Sequence, residues 1–277
     1  MTSKTSPLRR TAAASVALAL GAFGLTGVVA PALADQSPSS ATVITGDSAP
    51  QAAFKRVTRR TAPVISPVRQ SLTTRSTSYT FSTVIDGKPV RYNPCAPIHW
   101  TSSTARGPVG GLQVLQESVA RIAAVTGTTW VYDGAAAAEP HSSQLPKVPA
   151  AAYPPINIGW TDAARSDVLA RADRSSLGVT SNKWFGLQYA DGSRKAKTVG
   201  SVIALDRTKN LALRGGMSWK AVALHELAHA MGLGHVTDND QLMDVGLSWT
   251  LTDLQAGDLA GLGNVGRAAG CVDVPGL

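Results

Sequence analysis

The chain has 277 residues, 44% hydrophobic and 16% charged, which is enough apolar material for one packed domain and excludes a wholly disordered polymer. Its formal net charge of +8 is uneven: residues 1–34 carry three bases and no acid, residues 35–92 eight bases against three acids, and residues 93–277 fifteen of each. The excess belongs to the N-terminal third without a basic helix or basic-aromatic interleaving, so nucleic acid is not expected as a partner.

The first 34 residues read as a signal peptide: Lys4, Arg9 and Arg10, an apolar run from about Ala12 to Ala30, and Ala32-Leu33-Ala34 as the cleavage site. A retained anchor is the competing reading, against which Gly21, Gly24, Gly27 and Pro31 interrupt the run. The expectation is therefore a secreted, extracellular protein without stable membrane association after the signal is removed. Residues 35–79 are rich in Ser, Thr, Pro, Ala and Arg and show no sustained period, so they are expected to be a low-complexity prosegment or linker. Within them, Arg59-Arg60 is read as solvated charge before it is read as a processing site.

Order is expected from residue 80 to the end. Tyr79 to Ile85, the turn Asp86-Gly87 and Val90 to Tyr92 suggest a short hairpin, and residues 96–101 a further strand. Leu112, Leu115, Val119 and Ile122 fall at helical spacing before a stop at Gly127. Thr128 to Tyr132, Ile156 to Trp160 and Val199 to Leu205 read as strands. Ser218 can cap a helix running from about Trp219 to Leu233, and Thr252 with Gln255 forms the capping box of a last helix bearing Leu254, Leu259 and Leu262. The two cysteines, Cys95 and Cys271, bracket this domain and are read as a disulfide; the alternative is a free Cys95 whose thiolate plugs a metal site.

The chemistry concentrates in HELAHAMGLGH, residues 225–235. On a helix, His225 and His229 stand about one turn apart on the same face, close enough for both rings to reach one ion, with Glu226 beside them. His235 can join them only if the chain turns sharply, and Gly232 can supply the positive φ that such a turn needs. Three neutral imidazoles leave a fourth position open to water, the pattern of a catalytic zinc site, with Glu226 placed as general base. Chance would produce these five fixed positions in roughly one in a million comparable sequences, so coincidence is set aside. His99 and His141 are read as packing or solvent-facing, and G-x-S-x-G is absent.

This segment resembles the zinc-binding helix of the metzincins, and Gln241-Leu242-Met243-Asp244 resembles their Met-turn. Tyr92-Asn93-Pro94-Cys95, Val199-Gly200-Ser201-Val202 and LGHV around His235 extend the resemblance to small secreted bacterial matrixin-like proteases over about residues 80–275. The resemblance implies Met243 as an apolar floor beneath the metal. It also raises a structural Ca2+, for which the acidic turn Asp238-Asn239-Asp240 gives no support, since EF-hand spacing is missing.

The expected fold is α+β and metzincin/zincin-like: a twisted mixed β-sheet with two long helices and a small C-terminal subdomain carrying a third. The expected function is that of a secreted zinc-dependent endopeptidase, a monomer acting on a protein or peptide substrate held extended along an edge strand. Its competitor is a secreted non-catalytic binding protein on the same scaffold; Glu226 argues against it, because binding alone needs no proton acceptor.

Overall fold

The computed structural model describes residues 41–52, 77–211, 218–246 and 250–277. The proposed signal peptide and the Arg59-Arg60 pair lie outside the described residues. The strands are β1 (Thr42–Ala52), β2 (Thr80–Phe81), β3 (Val84–Ile85), β4 (Lys88–Pro89), β5 (Ile98–Ser103), β6 (Trp130–Ala135), β7 (Ile156–Thr161), β8 (Gly178–Gln188), β9 (Arg194–Asp206) and β10 (Leu233–Gly234). The helices are α1 (Gly111–Thr126), α2 (Asp167–Ala170), α3 (Trp219–Met231) and α4 (Ala256–Val265).

Six strands make a mixed sheet in the order β1-β8-β9-β7-β5-β6. β5, β6, β7 and β9 run parallel, whereas β8 is antiparallel to β9 and β1 is antiparallel to β8. The parallel strands read as apolar runs because β7 is buried along its whole length and β9 from Val199 to Leu205. α1 and α3 pack with the sheet around a core containing Leu115, Ile122, Ile158, Trp160, Ile203, Leu224, Leu227 and Met231. Fully burying side chains of this size contributes about 1.5–3 kcal/mol each. No helix among the described residues is long and apolar enough to cross a membrane.

The expected helices are present. α1 ends where Gly127 takes a left-handed conformation, and the Ser218 hydroxyl caps α3 by accepting the Ala221 N–H at 3.2 Å. The last helix starts later than its sequence suggests: Gln255 is the capping residue and Asp258 its reciprocal partner, three residues beyond the expected Thr252–Gln255 box. The hairpin at Asp86-Gly87 is confined to β3 and β4, because the strand before it is drawn away to pair with β10.

Two strands of the six-stranded sheet were not legible in the sequence. β8 buries Thr180, Ser181 and Asn182, so it lacks apolar alternation. β1 lies inside the segment expected to be an unstructured linker; it is held by backbone pairing to the edge of β8, which leaves little side-chain signature. Its irregularity between Ser48 and Gln51 coincides with Pro50, which has no N–H to contribute. The disulfide between Cys95 and Cys271 is formed, with Cα atoms 5.4 Å apart. Joining residues 176 apart removes denatured-state freedom worth on the order of 5 kcal/mol in a chain-entropy treatment.

Candidate metal and catalytic site

α3 brings His225, Glu226 and His229 to the side of the helix facing β8 and the segment after Gly234. Gly232 ends the helix with φ 115°, and its N–H returns to the His229 carbonyl at 3.0 Å. A side chain there would be strained by that φ, and its Cβ would stand 2.8 Å from the Val90 carbonyl. Beyond the turn, β10 pairs with β2, Leu233 opposite Phe81 and Gly234 opposite Thr80. The Thr80 hydroxyl donates to the His235 carbonyl at 2.8 Å, which pins the third histidine.

The three imidazoles converge. Nε2 of His225 is 2.9 Å from Nε2 of His229 and 3.1 Å from that of His235, and the His229–His235 separation is also 3.1 Å. His225 Nδ1 is 2.7 Å from the Leu242 carbonyl and His229 Nδ1 is 2.8 Å from the Leu233 carbonyl. A carbonyl only accepts, so both Nδ1 atoms carry the proton and both Nε2 atoms of the neutral rings present lone pairs. Burial lowers His225 to about 3 and His235 to about 4, and depresses His229 as well, so the rings are neutral at ordinary pH. The facing lone pairs of His225 and His229 cannot satisfy each other, whereas a cation satisfies both and can take His235 Nε2 as a third donor. Nitrogens on a tetrahedral zinc ion stand roughly 3.3 Å apart, so the donor set fits that ion closely, and imidazole suits zinc far better than calcium or magnesium.

Glu226 is fully buried beside the triad. Thr180 Oγ1 on β8 lies 2.8 Å from Glu226 Oε2 and 2.9 Å from the Glu226 carbonyl, sharing its one hydrogen between them. Oε1 has no hydrogen-bond partner among the described residues, and a Cβ built at Gly178 would come within 2.8 Å of it. Burial pushes the Glu226 carboxyl up to about 8, against the lowering effect of Thr180, and a cation close by acts in the same direction as Thr180.

Two networks behind the ligands were missed in the sequence. Tyr92 OH is 2.9 Å from Ser201 Oγ, Ser201 donates to Asn182 Oδ1 at 2.6 Å, and Asn182 Nδ2 donates to the His229 carbonyl at 2.8 Å. The second network joins the turn at Met243 to α4. Buried Asp258 accepts from the N–H groups of Leu242, Met243 and Gln255 at 2.8, 3.1 and 2.7 Å, and Gln241 Oε1 accepts from Gly257 and Asp258 at 2.7 and 3.2 Å. Because the Leu242 carbonyl is the acceptor for His225, this lock orients a ring of the triad. Burial pushes Asp258 upward, opposed by the donated N–H bonds. The only sequence signal was an acid at the third position of a helix.

Met243 is buried, with Leu242 and Val236 in the same core. His99 is an exposed partner of Asp133 at 2.9 Å, and His141 caps the turn Ser142–Gln144. Asp238 Oδ1 accepts the Asp240 N–H at 3.1 Å, an ordinary acidic turn.

Residues 146–264 match the matrixin family. The match is consistent with a metallopeptidase of metzincin type. It spans β7 to most of α4 and so includes the triad, Glu226, Met243 and Asp258. A comparison with curated proteins finds no match. Matrixins are zinc metallopeptidases, and the α+β arrangement of a mixed sheet with few helices is the fold expected of one.

Proposed function

We propose that this protein is a secreted zinc-dependent endopeptidase in which His225, His229 and His235 hold the metal, Glu226 is the general base and residues 80–277 form the catalytic domain. The observation that carries the reading is the convergence of three Nε2 atoms within 3.1 Å of one another, beside a buried carboxylate with one oxygen unpartnered among the described residues. Zinc, when bound there, supplies a Lewis acid that acidifies water and polarises a peptide carbonyl.

The chain's own residues do the rest. Glu226 Oε1 takes a proton from the attacking water while Oε2 stays on Thr180 Oγ1, and Oε1 then delivers that proton to the departing amine nitrogen. The Leu242 and Leu233 carbonyls keep the rings of His225 and His229 in the tautomer that offers Nε2. Met243 is the apolar floor of the site and Gly232 its turn, with the Cys95–Cys271 bond tying the ends of the domain together. Export, implied by the N-terminal signal, accords with that disulfide. We take the active unit to be a monomer with zinc alone as its metal.

A casein or peptide-library digest by zinc-loaded protein tests the reading, with Glu226→Ala alongside. Cleavage that a chelator or a hydroxamate abolishes, and that Glu226→Ala lacks while retaining zinc, is the expected result. A zinc-bound protein equally inert with and without Glu226 would instead be the non-catalytic binding protein.

A further inference from the structure

The parallel strands β5, β7 and β9 finish at the same end of the sheet, and the chain leaves β7 and β9 toward opposite faces. After β7 it enters α2, whose Val168 and Leu169 pack with Val202 and Ala204 of β9. After β9 it enters α3, which packs with Ile203 and Leu205, the alternate residues of the same strand and so its other face. Where neighbouring parallel strands send their connections to opposite faces, a crevice opens outside their carboxyl ends, and ligands of open α/β sheets bind in such crevices.

A cavity of about 550 Å³ lies there, within the size range of small-molecule sites. Arg106 and Pro108 line it from the segment after β5, Trp160 from the end of β7, Arg207 and Lys209 from the segment after β9, and Trp219 from the start of α3. Trp160 and Trp219 meet edge to face, with ring centroids 5.7 Å apart. Gly107 lets the chain lie against Trp160, because a Cβ there would stand 2.6 Å from the indole.

The arginines are held from behind and are in excess. Arg106 donates its Nε to Glu139 at 2.6 Å and Arg207 its Nε to Asp162 at 2.9 Å, while Arg165 pairs with the same two carboxylates at 3.7 and 3.3 Å. Three guanidinium groups thus share two carboxylates, neither of which lines the cavity. Lys209 is balanced by Asp206. Arg106 uses one nitrogen of its fork, so its terminal N–H groups have no protein acceptor among the described residues and remain for a ligand.

We infer that this cavity binds a small organic anion: an oxyanion head, phosphate or carboxylate, received by Arg106 and Arg207, on an apolar body laid against Trp219. The guanidinium fork matches either head in bidentate fashion. The inference does not rest on the peptidase reading, since Trp219 precedes Glu226 by seven residues, roughly 10 Å along α3, and none of the metal-site residues lines the cavity.

The test uses the full chain and three compounds: phenyl phosphate, phenylacetate and inorganic phosphate. At least one of the two organic compounds should change tryptophan emission saturably with a Kd of about 1 mM or below, and the tighter of them identifies the head group. Inorganic phosphate should bind roughly tenfold more weakly, for want of the apolar body. Arg106→Gln and Arg207→Gln should each weaken the tighter compound roughly tenfold, whereas Lys88→Gln, on β4, should leave it unchanged. Both arginine variants leave Glu139 and Asp162 paired with Arg165, so the fold is retained. No saturable change with either organic compound up to about 10 mM overturns the inference, as does binding that both arginine substitutions leave intact. Inorganic phosphate binding as tightly as either organic compound overturns it too. A chain that binds the compound yet cuts no peptide while zinc is bound refutes the peptidase reading and supports this site.

Discussion

α3 and β8 lie against each other and are both buried over most of their lengths, yet they bury opposite chemistry. Apart from its two histidines and Glu226, α3 buries Ala, Val, Leu and Met. β8 buries a polar run, Thr180-Ser181-Asn182, and turns Thr180 and Asn182 to the same interface. The reacting groups sit on the helix because its 3.6-residue period places them on one side; what orients them is on the strand, where Thr180 meets Glu226 and Asn182 meets the His229 carbonyl. A buried polar group is costly unless paired, so each element makes the other tolerable. Placement of the chemistry and its orientation are thus divided between two elements.

The strongest test of that division removes a group on the helix side. His229→Ala should lower zinc from about one ion per chain to none by elemental analysis, and turnover with it, since two imidazoles do not complete the ligand set of a catalytic site. Glu226→Gln should keep the zinc and lose roughly 10²–10⁴ in kcat, the range ascribed to a positioned acid-base group. Zinc lost from Glu226→Gln would show that the carboxylate serves the ligand set instead of the proton transfer.

The supporting side should respond more mildly and differently. Asp258→Ala strips the acceptor from three backbone N–H groups and should cost about 3 kcal/mol by denaturant titration. Zinc affinity should fall with it, because the Leu242 carbonyl that holds His225 loses its anchor. The smallest effect is expected at Thr180, where Val should lower kcat about tenfold with little change in KM or zinc content, and Ser should restore it, since only the hydroxyl is needed. An equal loss in Thr180→Ser would mean that packing of the methyl group, not the hydrogen bond to Oε2, is what the position contributes.

The sequence alone determined the features whose cause is local. Helical spacing made His225, Glu226 and His229 neighbours, a glycine marked the turn that returns His235, apolar runs marked β7 and β9, and the two cysteines offered a single intramolecular pairing. Tertiary structure decided the rest, because a hydrogen bond between residues 46 or 47 apart, as Thr180–Glu226 and Asn182–His229 are, exists only once strand register is set. Asp258 was an unremarkable acid until α4 was placed under the turn at Met243. β1 is the extreme case: its pairing is made by backbone groups that every non-proline residue carries, so only an unoccupied edge beside it could turn a low-complexity segment into a strand.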